Sequence, residues 1–190
     1  MALDRPRPRS RPRRGALTLA LLLLPVSIAG LRADDGAGTP SKPRRPDLTD
    51  PVLCLSARGF RDFVPREVPE LTRDEKLQIY YEPFNYTIIR VEEGKGDDAR
   101  VSYRAHLTQD ARLRKAGESR VLQEHREAID YQPESEHPPV STFMLYLAEL
   151  KQFPPGDYEV DLVLRDELAE GRPETKRTVA FSVVRTPGGR

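Results

Sequence analysis

The sequence predicts an all-β domain, an immunoglobulin-like Greek-key β-sandwich of seven to eight antiparallel strands. Three observations carry this. From residue 51 onward the apolar residues recur mainly with period two, as they do along half-buried strands. Turn-forming glycines, prolines and aspartates interrupt them at short intervals. Near the C-terminus, Pro154-Pro155-Gly156-Asp157-Tyr158 ends one apolar strand and opens another. That arrangement resembles the tyrosine corner of Greek-key sandwiches, in which the phenol bonds back to backbone a few residues upstream.

The first fifty residues are of another kind. Residues 1–14 hold six arginines and one aspartate, and residues 15–31 hold no charge. A basic head before an apolar run is the layout of a secretory signal peptide. Ser27 and Ala29 are small, so cleavage is expected after Ala29, with Ala33 the second choice. An uncleaved anchor is the alternative, although Pro25 interrupts the run and a span needs about 20 apolar residues. Without residues 1–29 the chain has 25 basic and 29 acidic residues, so its slight basicity belongs to the leader. No global attraction for nucleic acid is expected of a net charge of −4. Residues 30–50 are polar and proline-rich and read as a disordered linker. The domain is expected over 51–185, followed by a disordered tail over 186–190.

Taken in order, Val52 to Leu55 form a first strand that buries the lone cysteine, Cys54, as a small apolar residue. Residues 60–74 read as a loop, with Pro65 and Pro69. Leu77, Ile79 and Tyr81 alternate with Gln78, Tyr80 and Glu82; Pro83 breaks that strand, and a second run extends from Phe84 to Val91. Residues 92–98 form a turn. The clearest alternation places Ala99, Val101, Tyr103, Ala105 and Leu107 on a core-facing side, opposite Arg100, Ser102, Arg104, His106 and Thr108. Residues 110–119 read as a charged loop. In 120–131, Val121, Leu122, His125, Ala128 and Ile129 share a helical face, while Val121, Ile129 and Tyr131 also suit a strand; the β surroundings favour the strand. Three prolines make 132–140 a loop. Phe143 to Ala148 is apolar on both faces. Tyr158, Val160, Leu162 and Leu164 alternate with Glu159, Asp161, Val163 and Arg165, and in the last strand Val179, Phe181 and Val183 point inward against Thr178, Ala180 and Ser182.

Residues 154–166, followed by a hairpin and the strand Val179-Ala180-Phe181-Ser182-Val183-Val184, resemble the last two strands of immunoglobulin-like or fibronectin-type modules in exported bacterial proteins. Gly59-Phe60 and the stretch Leu77–Ile88 are similar to exported envelope proteins of planctomycete-type bacteria. The resemblance spans residues 52–185 and implies fold and export; it carries over no catalytic or binding residue.

The residues offer little chemistry. His106, His125 and His137 stand apart, without the close spacing of zinc ligands, and read as solvated surface histidines. Cys54 lacks a neighbour that would lower its pKa. Glu92, Glu93, Asp97 and Asp98 are most simply a solvated hairpin tip rather than a calcium loop. No cofactor, metal or catalytic residue is expected. Tyr80, Tyr81, Phe84 and Tyr86 form the one aromatic run that could recognise a ligand. The leading expectation is therefore a non-enzymatic module that contacts another envelope or secreted protein, through the loops 60–74, 92–98 and 132–140 or by accepting a strand. A polysaccharide-binding module using the tyrosine run comes second, and a small hydrolase third.

Overall fold

A computed structural model describes residues 45–186, so the leader, the linker up to residue 44 and the tail from residue 187 lie outside the described residues. Fourteen strands follow in order: β1 (Asp47–Leu48), β2 (Val52–Gly59), β3 (Asp62–Pro65), β4 (Glu70–Thr72), β5 (Lys76–Tyr81), β6 (Pro83–Phe84), β7 (Ile89–Glu93), β8 (Arg100–Arg104), β9 (Leu107–Lys115), β10 (Val121–Tyr131), β11 (Glu134–Ser135), β12 (Met144–Glu149), β13 (Gly156–Asp166) and β14 (Glu174–Val184). No α-helix occurs among the described residues; a single 3₁₀ turn spans Gly96–Asp98.

Five strands form one sheet in the order β10-β9-β13-β14-β4, and four form another in the order β12-β5-β2-β3. Their alternating apolar residues meet in one interior. Leu107, Ala111 and Leu113 of β9, Tyr158, Val160, Leu162 and Leu164 of β13, and Val179, Phe181 and Val183 of β14 come from the larger sheet. Leu53 of β2, Leu77, Ile79 and Tyr81 of β5, and Met144, Tyr146 and Ala148 of β12 come from the smaller. Each large side chain so buried contributes about 1.5–3 kcal/mol. The pairings are antiparallel except for β4, which runs parallel to β14. Two smaller sheets, β11-β8-β7 and β1-β6, sit on this frame.

The corner before β13 has the expected geometry. Tyr158 is buried, and its hydroxyl donates to the Pro154 carbonyl at 2.7 Å. Phe153 meets its ring edge-on and Phe181 stacks on it. Residues 121–131 are a strand, as the surroundings required.

Several elements depart from the sequence reading. The strands outnumber the seven to eight expected, and one pairing is parallel. The supposed loop 60–74 contains β3, which folds back on β2 as a hairpin, and β4, whose partner β14 is distant in sequence and leaves no local signal. The supposed charged loop 110–119 is mostly β9, the second strand of the larger sheet; it hydrogen-bonds to β10 and β13 on its two sides. The single strand expected from Ala99 to Thr108 is two, β8 and β9, parted at Ala105-His106. Tyr103 consequently lies half-buried in the small β11-β8-β7 sheet rather than in the shared interior. The run from Phe84 to Val91 is split by Asn85, which adopts φ 59°. β7 continues through Glu93, so the turn begins only at Gly94, whose φ is 92°. A Cβ there would stand 2.7 Å from the Asp98 carbonyl oxygen. In β12 only Met144, Tyr146 and Ala148 face inward, while Leu147 is half exposed.

The fold also begins before residue 51. β1 pairs with β6, and Leu48 is buried in the core cluster. Thr49 and Glu82 exchange hydrogen bonds at 3.0 Å. The final residues of the expected linker are thus part of the domain.

Candidate functional site

The aromatic run does not form a strip. Tyr80 and Tyr81, adjacent on β5, point to opposite faces and are both buried. Tyr80 lies on the outer face, where Phe63 stacks at 4.2 Å and Phe143 at 5.7 Å between centroids. Its hydroxyl accepts from the Arg61 amide at 2.8 Å and donates to Glu82 at 2.9 Å. Tyr81 points inward, its hydroxyl donating to the Gln109 carbonyl oxygen and lying 3.0 Å from Met144 Sδ. Burial pushes both phenols above the ordinary tyrosine range. Tyr86 is half-buried against the core. Among the four, only Phe84 is exposed, at 48%.

Phe84 belongs instead to an apolar groove of about 460 Å³, lined also by Phe60, Tyr86, Ile88 and Val140. Local structure explains why these side chains gather there. β6 is held by β1, and the left-handed Asn85 turns the chain immediately after Phe84. Asn85 Nδ2 donates to the Arg45 carbonyl at 2.8 Å and fixes that turn. Opposite, the Tyr86 hydroxyl donates to the Pro139 carbonyl at 3.0 Å and hydrogen-bonds to Thr142 Oγ1 at 3.1 Å. The Tyr131 hydroxyl reaches the same Thr142 oxygen at 3.1 Å. The Pro139-Val140 segment is therefore tied down while Val140 itself is 83% exposed. Arg61 and Glu82, 3.6 Å apart, form the charged rim.

A second groove, of about 730 Å³, crosses the small sheet and is lined by Glu93, Arg100, Val101, Ser102, Glu134 and Glu136. Two of the three loops expected to bind contribute to each groove. Residues 60–61 and 139–140 line the apolar one, and Glu93, Glu134 and Glu136 line the polar one. Val140 was not singled out from the sequence, its only signal being an apolar residue beside turn formers, and Ile88 was read only as part of the run from Phe84 to Val91.

The remaining polar groups are engaged with one another. His106 is half-buried and 3.0 Å from Asp130. His125 is half-buried too, its Nδ1 2.9 Å from the Tyr146 hydroxyl and its Nε2 beside the Gln123 amide. Neither is the freely solvated histidine the sequence suggested; His137 is exposed. Around His106 a polar hollow includes Glu167, which accepts from Thr108 at 2.7 Å and faces Arg165 and Arg172. Cys54 is buried with its Sγ 3.7 Å from the Gln78 carbonyl, and burial pushes its thiol up, more than Arg66 lowers it. Among the described residues no three His, Cys, Asp or Glu side chains are arranged to hold a metal ion. Compared with protein-family models, curated proteins and solved structures, the chain matches none of them.

Proposed function

We propose that the chain is an exported, immunoglobulin-like binding module, without a catalytic role, that engages an apolar segment of another protein in the periplasm or cell envelope. The observation that carries this reading is the groove at Phe84, Ile88 and Val140, whose side chains are 48%, 37% and 83% exposed. Exposed apolar residues scattered singly need no explanation, but three around one groove, rimmed by an ion pair, have the composition of a contact site. The groove's walls are fixed by hydrogen bonds to backbone, so a partner would bear little of the ordering cost.

The immunoglobulin-like part of the reading rests on strand order. β9, β13 and β14 adjoin as strands C, F and G do, with β10 beside β9 in the place of C′. β5 and β12 take the places of B and E, and β2 that of A. The Tyr158 corner then falls between E and F, where such folds keep it. Export rests on the basic and apolar leader alone. Sugar stacking on Tyr80–Tyr86 has less support, because two of its rings are buried.

The test is cross-linked capture from an envelope extract, comparing the wild type with Val140→Asp and Phe84→Asp. A defined protein retained by the wild type, and lost from both variants while their circular dichroism is unchanged, is the expected result. Capture indifferent to both substitutions, or no specific capture, would overturn the assignment of this groove.

A further inference from the structure

The second groove runs beside an unfinished strand pairing. β8 is paired along its whole length with β7, from Arg100 opposite Glu93 to Arg104 opposite Ile89. On its other side β11 covers only Tyr103 and Arg104. Beyond Ser135 the chain leaves the sheet, and among the described residues Arg100, Val101 and Ser102 have no strand next to them on that side. Those three residues, with Glu136 at the point of departure, line the 730 Å³ groove. Extended backbone with one free side carries outward-facing amide and carbonyl groups that a further strand can pair with.

The edges of β10, β12 and β3 are less receptive. β10 is interrupted between His125 and Ile129, and its Glu127 adopts φ 47°. β12 meets β10 through the Tyr146–His125 hydrogen bond, and β3 ends in Pro65, which has no amide hydrogen.

The walls of the groove specify the visitor's charge. Glu93, Glu134 and Glu136 line it, against one guanidinium, Arg100. Arg104 spans the first two carboxylates at 3.1 and 2.9 Å, while Glu136 makes no ion pair among the described residues. We infer that β8 accepts an extended basic peptide, which continues the line of β11, pairs with the backbone of Arg100–Ser102 and places lysine or arginine side chains against Glu136 and its neighbours. This rests on the reading of the protein as a contact module but uses a surface other than the apolar groove.

The experiment uses the exported chain and two synthetic heptapeptides, one alternating lysine with valine and one alternating glutamate with valine, followed by calorimetry and amide NMR. Binding of the basic peptide, weakened by salt, with shifts centred on Val101 and Ser102, is the expected outcome. Methylating alternate backbone nitrogens of that peptide, in whichever of the two registers faces β8, should weaken it roughly tenfold, since about two backbone hydrogen bonds go. Glu136→Gln, at an exposed and unpaired position, should reduce binding by a smaller factor. Equal binding of the acidic peptide, indifference to methylation in both registers, or shifts centred elsewhere would overturn the inference. Because Val140→Asp should leave peptide binding unchanged, a failure here is distinguishable from a failure of the apolar-groove assignment.

Discussion

At the scale of single residues, the contact between Tyr81 and Gln109 is the most consequential polar feature of the interior. Both side chains are fully buried, one from each sheet, and the Gln109 Nε2 has no partner among the described residues. The Tyr81 hydroxyl serves the carbonyl oxygen of that amide. Removing it with Tyr81→Phe would leave the whole amide unsatisfied, at a cost of about 1–3 kcal/mol. Replacing both groups, as in Tyr81→Phe with Gln109→Leu, removes donor and acceptor together and should recover most of that loss. Urea denaturation of the two variants checks this; a double variant less stable than Tyr81→Phe alone would contradict it. The same residue shows what the sequence could and could not reveal. Tyr81 was legible as an inward strand residue from its alternation with neighbours. Tyr80 was not legible as buried, because Phe63 and Phe143, which cover it, come from segments remote in sequence. A one-dimensional pattern shows which way a side chain points, not what lies over it.

At the scale of elements, the strands read most directly are those whose inward face is apolar throughout. β13 and β14 announce themselves by period two, and their inward residues are those that the alternation names. β9 does not, although it lies between two other strands. Its outer face carries Asp110, Arg112 and Arg114, which resemble loop residues until their cross-strand partners are known. Arg114 reaches Asp161 of β13 at 2.7 Å, and Arg112 reaches Glu124 of β10 at 2.9 Å. Lys176 and Thr178 of β14 also converge on Asp161. Burial pushes the Asp161 carboxyl up. The hydrogen bonds from Thr178 and Lys176, with the charges of Arg114 and Lys176, outweigh it, and the net shift is downward from 3.8. A carboxyl held lower in the folded state stabilises the fold above its unfolded value and ceases to do so as pH falls through its folded value. The protein should therefore lose stability below about pH 4. Asp161→Asn, less stable at neutral pH, should show a shallower acid loss in thermal melts from pH 7 to pH 2. An equally steep loss in that variant would place the acid sensitivity elsewhere.

At the scale of the whole molecule, the boundary of the domain was the hardest feature to read and is the simplest to test. Residues 45–50 contain one large apolar side chain, Leu48, and one proline, Pro46, with no periodicity to mark a strand. Their anchorage is entirely long-range. Asp47 meets Arg177 at 2.6 Å, the Pro46 carbonyl accepts from Thr175, and Leu48 closes the interior with 2% of its surface exposed. A chain beginning at Pro51 loses all of these together with the β1–β6 pairing. Against a chain beginning at Thr39, it should be less stable by about 2–4 kcal/mol, the range for emptying one buried leucine site. Leu48→Ala in the longer chain should reproduce most of that loss, because the Asp47–Arg177 pair is half exposed and such pairs contribute little. Paired urea titrations separate the cases. If the shorter chain were as stable as the longer, β1 would be an ornament on a self-sufficient sandwich. If truncation cost far more than Leu48→Ala, the backbone pairing with β6 would be the larger part. The apolar groove should then suffer as well, since Phe84 is presented by that same strand.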